Sequence, residues 1–119
     1  MLSQVHSYEE CSVEMTTGCE TIRPFLDKLE AEQLATLTAI LNGQSAGIPF
    51  ASVESLIIAL GGRVRADRNR GFWQIALSIN GARAPILITP LKPFYAGEMF
   101  LSDLRHMLLS VGFRVDCLN

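Results

Sequence analysis

Arg63, Arg65, Arg68 and Arg70 form the only dense basic run in the chain, with Asp67 the single acid among them. Guanidinium forks suit phosphate oxygens, so phosphate contact is the chemistry this spacing would serve. The plain alternative is a solvated face balanced by Asp67. Arg83 and Lys92 lie further along and could extend such a patch, Lys92 from a loop between Pro90 and Pro93. Proton transfer has fewer candidates. Cleavage of RNA by its own 2′-hydroxyl calls for one group that accepts a proton near neutral pH and another that donates one, and histidine is the usual choice. The histidines are His6 and His106. His106 falls between Leu104 and Leu108, off the apolar stripe of its helix, and reads as solvent-facing scaffold before it reads as a weak catalytic candidate.

Metal and nucleophile chemistry find little support. Cys11, Cys19 and Cys117 are odd in number, and their spacing matches no zinc-ligand pattern, so reduced thiols are expected and neither a metal nor a cofactor is. No phosphate-binding glycine loop, nucleophile elbow or paired-carboxylate spacing is present, and Glu54 and Asp103 read as helix-surface acids. Phe72, Trp73, Phe94, Tyr95 and Phe100 could stack on bases, or could close the end of a small core. Phe94, Tyr95 and Pro85 are the candidates for contact with a protein partner.

The elements that must position these residues belong to one small domain. The chain has 119 residues, 49% hydrophobic and 18% charged, with formal charge −2. A multidomain enzyme is excluded at this length, and one core suffices without a disulfide or structural metal. Residues 1–47 carry two basic and seven acidic groups, and the remainder eight basic and five acidic, an acidic appendage on a mildly basic module. No apolar run approaches the ~18 residues of a membrane helix. The N-terminus lacks a cationic start before an apolar stretch, so a cytoplasmic address is expected.

Residues 1–20 show no periodicity and are expected to be a loose acidic tail. Residues 21–47 predict a leader helix and linker: Pro24 suits a first turn, and Leu26, Leu29, Leu34, Leu37, Ile40 and Leu41 recur near helical spacing up to Asn42-Gly43. Residues 48–119 form the main module. Val53, Leu56, Ile57 and Leu60 predict a helix capped by Ser52 and ended by Gly61-Gly62. Arg63 to Asp67 alternate like a half-buried strand that turns Arg63 and Arg65 to solvent and Val64 to the core. Leu101, Leu104, Leu108 and Val111 predict a helix stopping at Gly112, and Phe113 to Leu118 could add a strand.

Between these helices lies a hairpin. Trp73, Ile75, Leu77 and Ile79 alternate up to Asn80-Gly81, the dipeptide best suited to a two-residue turn with positive φ. Ala82, Ala84, Ile86 and Ile88 alternate away from it. Continuous pairing would set Trp73 opposite Ile88 and Ile75 opposite Ile86, with all eight on one face. Pro85 would then mark the outgoing strand as a sheet edge.

The order helix, strand, strand, strand, helix is that of an α+β, double-stranded-RNA-binding-domain-like fold with a three-stranded antiparallel meander, here with an extra N-terminal helix. The wording is more specific: Ile48-Pro49-Phe50, Val53-Glu54-Ser55-Leu56-Ile57, Ala59-Leu60-Gly61-Gly62, Arg70-Gly71, Ala76 to Gly81, Asp103-Leu104-Arg105 and Val111-Gly112-Phe113. Over residues 48–112 this resembles the HicA family of toxins from bacterial toxin-antitoxin pairs. The resemblance implies a messenger-RNA interferase neutralised by an antitoxin. It also implies a catalytic histidine, either after the glycine turn or at the end of the third strand. Here those places read Arg70-Gly71-Phe72-Trp73 and Ile88-Thr89-Pro90-Leu91-Lys92. Neither holds an imidazole, and aliphatic side chains cannot carry a proton.

The expectation is therefore a HicA-like module, catalytically silent, that works by binding a protein partner, antitoxin-like or other, or RNA. The alternative is a ribonuclease with non-standard residues. A homodimer is a further open partner, and a membrane is not.

Overall fold

The computed structural model describes residues 19–90 and 94–118. The tail expected over residues 1–20 lies almost wholly outside the described residues, as do His6, Cys11 and Lys92.

Where periodicity predicted one leader helix, two form: α1 over residues 19–27 and α2 over Ala31–Leu41. Pro24 sits inside α1 and not in a first turn, and the helix ends three residues after it, consistent with a ring that cannot donate to the preceding turn. The break is closed locally. The Leu29 N–H donates to the Leu26 carbonyl at 3.1 Å, and the Glu30 N–H donates to Gln33 Oε1 at 2.9 Å, which satisfies one of the free amides at the start of α2. Both helices bury apolar residues, Ile22 and Leu26 from α1 and Leu37, Ile40 and Leu41 from α2, in the same cluster as the rest of the protein. The leader is thus part of the core.

Helix α3 spans Phe50–Ala59 and begins before Ser52, which caps nothing; the extended Pro49 holds the N-cap position. Its fixed φ suits that place and its missing N–H is no loss there. At the other end Gly61 has φ +86, and Gly62 follows in close contact: a Cβ there would lie 2.6 Å from Ile57 Cγ2 and 2.7 Å from the Ala76 carbonyl oxygen. That approach lets the chain turn straight from α3 into β1, Arg63–Asp67.

Strand β1 pairs antiparallel with β2, Phe72–Ala76, and β2 with β5, Leu87–Pro90, in the order β1-β2-β5. The hairpin tip is a separate two-stranded ladder of β3, Ser78–Ile79, and β4, Ala82–Arg83. Asn80 and Gly81 both have positive φ, 52° and 83°. At the tip the register is the predicted one: Ile79 faces Ala82, and the Ala84 N–H donates to the Leu77 carbonyl at 3.0 Å. Below it, Ile75 faces Leu87 and Trp73 faces Thr89. One residue separates Ile75 from Leu77, and two separate Ala84 from Leu87. The outgoing arm therefore carries a one-residue bulge at Pro85-Ile86. The single-face assignment fails beyond it: Ile86 and Ile88 are 61% and 59% exposed, and Thr89, 4% exposed, takes the inner position. Pro85 has no N–H to give a continuous ladder, which makes this the place where pairing most easily slips.

Helix α4, Glu98–Ser110, lies against β5, and α3 against β1. Val64, Ile75 and Leu87 turn toward them; Leu56, Leu104, Leu108 and Phe113 are fully buried. Gly112, with φ +109, ends the helical run, and a 3₁₀ turn at Val115–Cys117 replaces the expected terminal strand. That turn carries Cys117 into a disulfide with Cys19, 98 residues away, while Arg114 Nη2 lies 3.5 Å from each sulfur. The expectation of reduced thiols is corrected: local spacing concerned Cys11 and Cys19, whereas the fold brings α1 beside the C-terminal turn.

Candidate nucleic-acid interface

Alternation along β1 decides which side chains share a surface. Val64 faces Ile75 on the helix-covered side, which leaves Arg63, Arg65 and Asp67 on the other. Across the sheet the open face reads in rows: Arg63 beside Ala76, Arg65 beside Gln74 and Ile88, and Asp67 beside Phe72 and Pro90. Arg63, Arg65, Arg68, Arg70 and Arg83 are all exposed.

Two open depressions gather these arginines. One, about 530 Å³, lies at the β1–β2 turn and is lined by Arg65, Arg68, Arg70, Asn69, Gln74 and Asp67. The other, about 470 Å³, lies where α3 meets the sheet and brings Arg63 and Arg83 together beside Gly62, Ser78 and Ile86. Asp67 is partly engaged within the turn. Its Oδ1 accepts the Arg70 N–H at 3.2 Å, and its Oδ2 lies 3.9 Å from Arg70 Nε. Arg63, Arg65, Arg68 and Arg83 make no ion pair among the described residues. Among the described residues, four cations thus stand on one open surface with one acid, itself shared with a fifth. Gln74 and Asn69 were not singled out from the sequence, although pairing of β1 with β2 was enough to set Gln74 beside Arg65.

The aromatic candidates divide. Phe100 is buried and Trp73 half-buried, and each packs on Phe50, with centroids 6.0 and 5.9 Å apart. The indole Nε1 of Trp73 is buried with no acceptor among the described residues. Phe72 alone of the five lies on the arginine face. Phe94 and Tyr95 are 74% and 56% exposed and touch edge-on at 4.7 Å. Their backbone is pinned beside α3: the Phe94 carbonyl accepts the Phe50 N–H at 2.9 Å, and the Ala96 N–H donates to the Ile48 carbonyl at 2.8 Å. They line neither arginine depression.

His106 is exposed on α4 and lines a third, mainly apolar groove of about 350 Å³ with Asp103, Met107, Pro85 and Leu87. No arginine lines it. The structure therefore separates the one described imidazole from the basic face, and places Pro85 beside His106 at the bulge. No cluster of His, Cys, Asp and Glu able to hold a metal occurs among the described residues, and no helix there is long and apolar enough to cross a membrane. Comparison of the chain with protein-family models, curated proteins and solved structures finds no match.

Proposed function

We propose that this chain is a small binding module that holds RNA on the open face of its sheet without cleaving it, as a catalytically silent relative of the HicA-like toxins. The observation that carries this reading is the pooling of Arg63, Arg65, Arg68 and Arg83, none of them ion-paired among the described residues, on one surface whose depressions share no lining residue with the His106 groove. Guanidinium groups on an open, mostly acid-free face attract phosphates and release counterions when they bind them. Phe72 and the two exposed isoleucines give bases an apolar platform between the cations. The succession α3, β1, β2, β5, α4 supports a double-stranded-RNA-binding-domain-like arrangement, with the module's own α1 and α2 added to its core.

A cleaving enzyme would need a proton acceptor within reach of the bound backbone. Arginine does not lose its proton in proteins, so the basic face can orient a phosphate but cannot act as base. The second reading, a toxin-type ribonuclease, rests on His106, one helical turn from Asp103 and over a groove of its own.

The test is a gel shift with a single-stranded and a hairpin RNA across a salt series. The natural chain should bind with a steep salt dependence, and Arg63→Ala/Arg65→Ala should weaken binding to both probes and reduce the slope by about one to two. Unchanged affinity and slope in that variant would end the proposal.

A further inference from the structure

The two edges of the three-stranded sheet differ in what their backbones present. Because the Leu77 carbonyl accepts the Ala84 N–H, the residues of the β2 arm in step with Leu77, namely Ile75 and Trp73, turn their polar groups toward β5. Phe72, Gln74 and Ala76 then bond β1 through Asp67, Arg65 and Arg63. Val64 and Ala66 are left with both N–H and C=O groups pointing away from the sheet, and none of the turn, loop or cap hydrogen bonds among the described residues engages them. On β5 the matching residues are Ile88 and Pro90, and Pro90 has no N–H. The β5 edge is blunted by proline, and the β1 edge is open.

We infer that the β1 edge is a strand-addition site for an extended acidic segment of a partner protein. Charge selects the occupant. In an added strand, side chains on the open face lie nearest Arg63 and Arg65, across close, non-hydrogen-bonded pairs. Acids two residues apart meet both guanidinium groups, whereas an acid two residues further on would meet Asp67. The residue between the acids points to the other face, beside Val64. Val64 is apolar and half-buried, and its neighbour on β2 is the fully buried Ile75, so an apolar side chain fits there. The recognised pattern is acid, apolar, acid. A peptide backbone supplies a donor and an acceptor at every second residue, as Val64 and Ala66 require, whereas phosphates only accept. A second copy of this chain would bring its own arginine-rich run to the same edge, like charge against like.

This inference stands apart from RNA binding, because it rests on edge backbone groups and its readout is specific to them. The probe is a capped synthetic peptide, Thr-Val-Glu-Val-Glu-Val-Thr, added to the full chain. Amide exchange followed by NMR should slow at Val64 and Ala66, with Arg63 and Arg65 already protected by β2. Methylating the valine nitrogens should weaken binding about tenfold or more, as loss of two or more backbone hydrogen bonds implies, and Arg63→Glu/Arg65→Glu should abolish it. Equal binding of the methylated peptide, binding without slowed exchange at Val64 and Ala66, or no binding would each overturn the inference. So would concentration-dependent protection of those amides in the free protein, which would make a second copy the occupant. The RNA gel shift is scored on its own probes and decides the other reading separately.

Discussion

Leu87 stands opposite Ile75, although the tip of the same hairpin sets Ala84 against Leu77. The additional residue on the outgoing arm turns Leu87 and Thr89 inward and Ile86 and Ile88 outward. It thereby gives the arginine face its apolar floor.

That register makes a stability contrast. Ile75→Ala empties a fully buried site and should cost about 2–5 kcal/mol, whereas Ile88→Ala should stay within about 0.5 kcal/mol. Urea unfolding of the two variants measures it. Equal losses would restore the continuous register that simple alternation predicts.

Gly62→Ala should destabilise by about 1–3 kcal/mol, because the new methyl meets the Ala76 backbone and the Ile57 side chain below 3 Å. A thermal midpoint lower by several degrees is the expected result. Gly43→Ala meets open space and serves as a contrast, its loss arising from φ +88 alone.

Cys19→Ser and Cys117→Ser should each lower stability by about 2–4 kcal/mol, the range for a bond that closes a long loop, and the double variant should lose little more. A small dithiol added to the natural chain should reproduce the loss. Denaturant midpoints with and without the reductant check this, and thiol titration of freshly isolated protein shows whether the bond is present where the protein is made.

Asp67→Asn should strengthen RNA binding by about two- to fivefold, the range for removing one exposed charge from a basic surface. The amide oxygen can still accept the Arg70 N–H, so the turn should persist. The measurement is the same salt series, in which a weaker complex would count against the basic face.

His106→Ala should leave cell growth and messenger-RNA integrity as they are with the natural chain, because His106 lies in a groove that no arginine lines. Induced expression of both chains in a bacterium tests it. Growth arrest by the natural chain that this substitution abolishes would favour the ribonuclease reading.

By itself the sequence determined the parts that rest on local physics. Asn80-Gly81 accepts positive φ and makes the turn, the Arg63 to Asp67 alternation makes a strand with arginines to solvent, and apolar residues at helical spacing make α3 and α4. The basic run was legible for the same reason, since a period of two assigns faces without knowledge of the partner strand. Tertiary structure decided what depends on residues distant in the chain. Pro85 was visible, but whether it would sit in a continuous ladder or a bulge was settled by which of Ile86 and Leu87 packs against α4, and burial chose Leu87. That α1 and α2 both pack into one core, and that α1 meets the C-terminal turn in the Cys19–Cys117 bond, are outcomes that no spacing rule connects. The open edge at Val64 and Ala66 likewise required the strand order, because an edge is defined by the neighbour that is not there.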